Sequence, residues 1–497
     1  MISRRKRDAA ILVIIVLIAM GTFSVQRIEG LPATLGQYQG QTLSWSSCYD
    51  NFDCSYLQVP IDYKNLSLGR FKLRLLRHKA LEQRGRIGSL VINPGGPGAS
   101  GVAYAYNAEY IFSPNLLQKY DIIGFDPRGV GESAPIRCLN DQETDASYAA
   151  DSRPDNEKEL KTLIQQVHEY ADKCESRTKN LINYSTADSA RDMDLLRAAL
   201  KESKLNYLGV SYGTYLGTIY AKLFPNNVGR MVLDGAVSPN VDSEVQNLTQ
   251  AVGFDTALDA FITDCFHKKD CPLQQPLEKA RSQIIALFNS SDKAPLTSSS
   301  GRAVTESLIV LGTASALYDP SSGWPQLRVG LREAESGNGR TLLSLADDYS
   351  QRRTDGTYAN NEADAAFVID CLDWRGARST ASISQLAQKF SQEAPVFGPY
   401  LAYSGLSCQF FPSTSQDAIR EIVTTPIIVI GTTRDPATPY IWAQDLHKII
   451  QNSLLITLEA DGHTGYGHGS TCVDSAVDNY FLTGILPTSD LTCKSPV

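Results

Sequence analysis

The chain has no stripe of lysine and arginine beyond Arg4–Arg7, no internal repeat and no low-complexity tract. Each absence closes a class. With a net charge of −8 and no basic stripe, nothing provides the electrostatic footprint of a nucleic-acid partner. Without repeats there is no solenoid. Without a C-x-x-C pair a structural zinc site has little to stand on, and no G-K-[ST] follows the glycine-rich stretch near residue 95, which argues against a phosphate cradle. What is present is an ordinary globular composition, 42% hydrophobic and 20% charged, over 497 residues. That length suits one large domain carrying an insertion, or two domains in contact, around a small-molecule or peptide site.

The first 25 residues are a separate object. Arg4, Arg5, Lys6 and Arg7 precede an apolar run from Ala9 to Met20, the size of a signal-peptide core. Gly21 and Ser24 offer only a weak cleavage site, so residues 1–25 are read as either a signal peptide or a retained N-terminal anchor. Either way the chain is expected outside the cytoplasm, secreted or attached to the outer face of the cell membrane. Ten cysteines fit that oxidising setting. Pairing each with its neighbour (Cys48 with Cys54, Cys138 with Cys174, Cys265 with Cys271, Cys371 with Cys408, Cys472 with Cys493) is the simplest of many connectivities, and spacing alone does not select it.

From residue 45 to about 240 apolar strand patterns alternate with helical ones. "FKLRLLRHKA", "GSLVINPGGPGASG", "YDIIGFDPRGVGES", "LNYLGVSYG" and "VGRMVLDGAV" each read as a strand or a strand entering a loop, while "SARDMDLLRAALKES" and "TYLGTIYAKLFP" read as helices. Such alternation implies βαβ units and a mostly parallel sheet with helices on both faces. From about 241 to 420 the rhythm breaks into polar helical patterns such as "LEKARSQIIALF", the expected inserted cap. Over residues 421–497 it resumes with "TPIIVIGTTRDPATP" and "LLITLEADGHTGYG".

Within "YLGVSYGTYLG", Ser211 stands between Gly209 and Gly213. Chance supplies G-x-S-x-G in about one chain in six of this length, so context must decide. A serine hydroxyl is a poor nucleophile until a base takes its proton, and the base needs an acid to fix its tautomer. The order expected with a strand-to-helix serine is Ser, Asp, His, each on a loop after a strand. Asp435 follows "PIIVIG" and His463 follows "LLITLEA", so both are expected at the same sheet edge as Ser211. Asp461 lies too close to His463 in sequence to come from another strand, and His468 sits further along the same loop. Donors for an oxyanion are expected from the Tyr212 amide and from "NPGGPG", through Gly96. Asp126 and Arg128 are read as braces.

The set "NPGGPGASG", "GFDPRGVGES", "YLGVSYGTYLG", "TRDPATP" and "ADGHTGYG" resembles the α/β-hydrolase serine peptidases of the prolyl-aminopeptidase group, and specifically their exported tripeptidyl aminopeptidase branch, over nearly the whole chain after residue 45. Where prolyl aminopeptidases typically read H-G-G-P-G, this chain has Asn93-Pro94-Gly95-Gly96-Pro97-Gly98, which favours the tripeptidyl branch. The resemblance implies an α/β-hydrolase fold, a Ser211–Asp435–His463 triad, release of short peptides from free amino termini, and no metal or organic cofactor. A carboxylesterase with the same triad is the alternative. A substrate α-ammonium entering the cap needs a carboxylate partner, and Asp370 and Asp373, beside Trp374, are the candidates, with helix capping or loop bracing as their structural alternative.

Overall fold

The computed structural model describes residues 32–373, 383–414 and 418–495, so the N-terminal segment 1–25 and Trp374 lie outside the described residues. The strands are β1 (Ser46–Tyr49), β2 (Phe52–Asp62), β3 (Asn65–His78), β4 (Gly88–Asn93), β5 (Tyr120–Phe125), β6 (Leu205–Val210), β7 (Val228–Asp234), β8 (Ile427–Arg434), β9 (Leu454–Asp461) and β10 (Leu491–Lys494). They form one sheet in the order β1-β2-β3-β5-β4-β6-β7-β8-β9-β10. β1 to β3 pair antiparallel, β3 meets β5 antiparallel, and every pairing from β5 to β10 is parallel.

The central strands are buried on both faces, which explains their near-continuous apolar runs. Because side chains alternate along a strand, Val91, Ile123, Tyr207, Leu233 and Val429 enter one core, while Leu90, Ile122, Leu208, Val232 and Ile428 enter the other. From β4 the chain crosses to β5 on one side, and β6 later docks on the other. This reversal opens a crevice at the carboxyl ends of β4 and β6, where Asn93 lies opposite Gly209.

"FDPRGVGES" braces this framework. The fully buried Arg128 makes two 2.7 Å bonds to Asp192 and donates to the carbonyls of Pro60, Ile61 and Asn183, so its charge is both paired and hydrogen-bonded. Between β7 and β8 runs a helical segment that includes Ser243–Cys265, Leu277–Lys293, Glu306–Ser315, Gly323–Ala334, Arg340–Tyr349 and Glu362–Asp373. It has its own apolar core, with Phe261, Phe288, Leu308, Leu327 and Leu342 at its centre. All five neighbouring cysteine pairs are disulfides, as befits a chain that folds in an oxidising compartment. Among the described residues no helix is long and apolar enough to cross a membrane.

Candidate active site

Ser211 stands between the end of β6 and the helix Tyr212–Leu223, with φ 57° and ψ −127°. An L-residue held there stores about 1–3 kcal/mol of strain, so its surroundings must over-determine it. They do. Ser211 N donates to Asp234 O at 2.8 Å, and Ser211 O accepts from the Thr214 amide at 2.8 Å and hydroxyl at 2.6 Å. The turn is so tight that a Cβ on Gly209 would lie 2.3 Å from Gly213 O. The glycines of the signature are thus a packing requirement of the elbow.

Asp435 lies just beyond β8 and His463 just beyond β9. His463 Nδ1 is 2.9 Å from both carboxylate oxygens of Asp435. The carboxylate also accepts from the amides of Ala437 (2.9 Å), Thr438 (2.8 Å) and Thr464 (3.1 Å), and from the Thr438 hydroxyl (2.9 Å). These donors hold the Asp435 carboxylate aimed, and the Asp435 contact assigns the Nδ1 proton of His463, leaving the Nε2 lone pair free. Burial alone would lower the His463 pKa; the charge and hydrogen bond of Asp435, with the more distant charge of Asp234, outweigh it and raise the group above its ordinary value. From the helical segment, Tyr318 O accepts from His463 N at 2.8 Å, and the Tyr318 ring meets the imidazole edge-on at 5.2 Å. The rival groups are occupied elsewhere: Asp461 is ion-paired to Arg434, and His468 Nε2 bonds the Thr464 hydroxyl at 3.0 Å.

The loop after β4 closes over the elbow. Gly95, with φ 103°, comes closest: a Cβ there would sit 2.8 Å from Ser211 Cβ and 3.1 Å from Tyr212 N. Its own amide is taken by Asn93 Oδ1 at 3.0 Å. The Gly96 and Tyr212 amides, by contrast, reach no protein acceptor among the described residues; Tyr212 directly follows the serine and Gly96 directly follows Gly95.

The helix Glu362–Asp373 packs on this loop, since a Cβ on Gly98 would meet Glu362 O at 2.6 Å. Its far end carries the two acids expected from sequence, and the structure gives them different situations. Asp373 accepts from Thr186 N (3.2 Å), the first amide of the helix Thr186–Ala199, and from the Thr414 hydroxyl (3.5 Å). Thr186 in turn is hydrogen-bonded to the Tyr212 hydroxyl. Asp373 therefore braces a helix start next to the elbow, and burial raises its pKa to about 6. Asp370 has no hydrogen-bonding or cationic partner among the described residues. Its side chain is open to solvent, yet loss of bulk hydration, followed by repulsion from Asp373, pushes its carboxyl up to about 8.

Sequence reasoning missed Thr438, Tyr318 and Asp234, all of which touch the acid, the base or the elbow; only Thr438, inside "TRDPATP", lay in a stretch already singled out beside a candidate residue. The single acidic group among the described residues compact enough to chelate a cation, Asp151, Asp292 and Glu306, is already served by Arg153, 2.8 Å from Glu306.

A strained serine on a strand-to-helix elbow, with an Asp–His pair after later strands of the same sheet, defines a serine hydrolase of the α/β-hydrolase fold. Family models agree: the alpha/beta hydrolase fold matches residues 88–277, and the TAP-like protein family matches residues 394–493. The chain is similar to serine protease Hip1 of Mycobacterium tuberculosis, 34% identical over 521 aligned positions that cover 99% of each chain. It is also similar to Carboxylesterase B of Mycobacterium tuberculosis (37%, covering 90% of this chain and 89% of the relative) and to the tripeptidyl aminopeptidase of Streptomyces lividans (32%, 91% and 86%). The chain belongs to this TAP-like family of α/β hydrolases.

Proposed function

We propose that the chain is an exported serine aminopeptidase that releases short peptides, tripeptides in the first instance, from free amino termini through an acyl-enzyme. The observation that carries the reading is the contact of His463 Nδ1 with both Asp435 oxygens at 2.9 Å, on the sheet edge that bears the Ser211 elbow. His463 Nε2 removes the Ser211 proton as Oγ attacks the scissile carbonyl. The tetrahedral oxyanion forms against the Tyr212 and Gly96 amides. The same Nε2–H then protonates the leaving amine, and water repeats the sequence on the acyl-enzyme. Relatives named serine protease Hip1 and tripeptidyl aminopeptidase support peptide over other acyl substrates.

The helical segment, residues 241–420, acts as a cap that limits entry to chain ends. Asp370 is the partner for the substrate α-ammonium: without a partner among the described residues, it releases its proton when an ammonium arrives, so that a charge forms only where it is matched. Residues 1–25 export the chain and leave it secreted or held at the outer face of the membrane.

The carboxylesterase reading rests on the 37% identical relative of that name. A panel of chromogenic tripeptide amides, free and N-acetylated, beside simple esters separates the two. N-acetylation of a good tripeptide substrate is expected to lower kcat/KM by about 10² or more. Asp370→Asn should cause a similar loss on the free peptide while sparing ester hydrolysis. Equal rates on free and acetylated peptides would favour the esterase.

A further inference from the structure

Asp234 lies at the centre of the catalytic edge, and the mechanism above does not use it. It is the last residue of β7, level with Val210 of the nucleophile strand on one side and Ile430 of the acid strand on the other. Only 1% of it is exposed. Its carbonyl takes the Ser211 amide at 2.8 Å, while its carboxylate takes the amides of Gly465 (2.9 and 3.1 Å) and Tyr466 (2.8 Å), two and three residues beyond His463. The next residue, Gly235, is so near the imidazole that a Cβ there would lie 3.3 Å from His463 Cε1.

On the reading that Ser211 and His463 work as nucleophile and base, we propose that Asp234 is a positioning residue: it ties the elbow to the histidine loop and supplies a second anion, behind Asp435, that favours the imidazolium form of His463. One residue thus sets both the distance between nucleophile and base and the basicity of that base.

The geometry gives each half of this role a cause. A main-chain bond to Ser211 and side-chain bonds to residues 465 and 466 mean that neither element shifts without straining the other. The carboxylate is met by backbone N–H groups rather than by a fixed cation, so its charge remains available to the nearby imidazoles. Burial pushes the Asp234 carboxyl above the usual carboxylate range, against the two amides and the His463 and His468 charges, and Asp234 in turn helps raise His463. The other ionisable groups around this point are Asp435 beyond β8, Tyr104 of the helix Gly101–Tyr106, and Tyr466, whose hydroxyl is held by Asp478 at 2.8 Å. Asp474 faces His468 from the helix Thr471–Thr483. None of these is a permanent cation, so among the described groups the proton on His463 answers mainly to the two aspartates.

The test is Asp234→Asn in the full chain, followed through kcat, KM and the pH profile of kcat/KM. Measured on a simple ester, so that Asp370 takes no part, the acid limb, which reports His463, should move downward by about 0.5 to 1 pH unit on loss of the anion. kcat should fall at least about tenfold with KM within about twofold, because the misplacement affects the reacting groups and not the bound peptide. A folded variant with lowered kcat and an unmoved acid limb would overturn the proposal, since a simple brace would behave that way. Should Asp234→Asn fail to fold, the wild-type protein decides: an NMR titration of the His463 ring should depart from a single-proton curve as Asp234 titrates beside it. A clean single-proton curve would refute the coupling. The NMR measurement needs no substrate, so a failure of the peptidase reading, seen as no turnover of any peptide amide, is distinguishable from a failure of this one.

Discussion

Replacing Asp435 with asparagine changes one atom and reverses the histidine. One carboxylate oxygen accepts from the Ala437 and Thr438 amides, and the other from the Thr464 amide and the Thr438 hydroxyl. An asparagine NH₂ at the first position would face two N–H donors at 2.9 and 2.8 Å; at the second it faces one, at 3.1 Å, and a hydroxyl that can rotate to accept. The second orientation therefore wins. It points an N–H at His463 Nδ1, which sits equally near both oxygens, and forces the ring to accept there and to carry its proton on Nε2, against Ser211. The base is then in the wrong tautomer, a loss of about 10⁴ in kcat, or about 5.5 kcal/mol of transition-state stabilisation. Stability should drop by about 1–3 kcal/mol for the one amide left facing a donor. Steady-state hydrolysis of a tripeptide p-nitroanilide, with circular dichroism as the folding control, measures both. A folded Asp435→Asn variant within about tenfold of wild-type kcat would refute the tautomer argument and the assignment of Asp435.

Ser211→Ala should abolish turnover and labelling by a fluorophosphonate probe while leaving the melting curve near wild type or higher, because it removes a hydroxyl from a strained turn and no core atom; residual labelling at another serine would redirect the mechanism. On the proposed mechanism only neutral His463 takes the serine proton, and its pKa is raised, so kcat/KM on a simple ester, which does not engage Asp370, should climb with pH and reach half its plateau above pH 6.5, a midpoint read from the pH profile. Arg128→Met should cost about 3–5 kcal/mol in urea denaturation by stranding the buried Asp192 carboxylate, and adding Asp192→Leu should recover part of that loss.

Much of the site was legible in the sequence because the chemistry and the fold leave local marks. The elbow needs small residues where the backbone folds on itself, so Gly209 and Gly213 announce Ser211. Fully buried parallel strands need unbroken apolar runs, so β4, β6, β8 and β9 were visible together with the loops that leave them. The antiparallel start of the sheet was less so: β3 runs from Asn65, six residues before the alternating stretch that betrayed it, and the partly exposed β1 and the terminal β10 carry too short a pattern to read.

By itself the sequence determined the residue types and their order: a serine on an elbow, then an acid and a base on later strand ends, with alternating apolar residues that commit each strand to two cores. Tertiary structure alone decided which carboxylate meets which partner. Asp370 and Asp373 are three residues apart on one helix, yet Asp373 is spent on the Thr186 amide while Asp370 is exposed and meets no hydrogen-bonding partner among the described residues. Asp234 looked like the unremarkable end of a strand, and only the register of β6, β7 and β8 brings it between the Ser211 elbow and the His463 loop. The physical reason is range: backbone conformation and burial pattern act over a few neighbouring residues and are written locally, whereas charge pairing is set by distances of a few ångströms between residues hundreds of positions apart, which exist only once the sheet has closed.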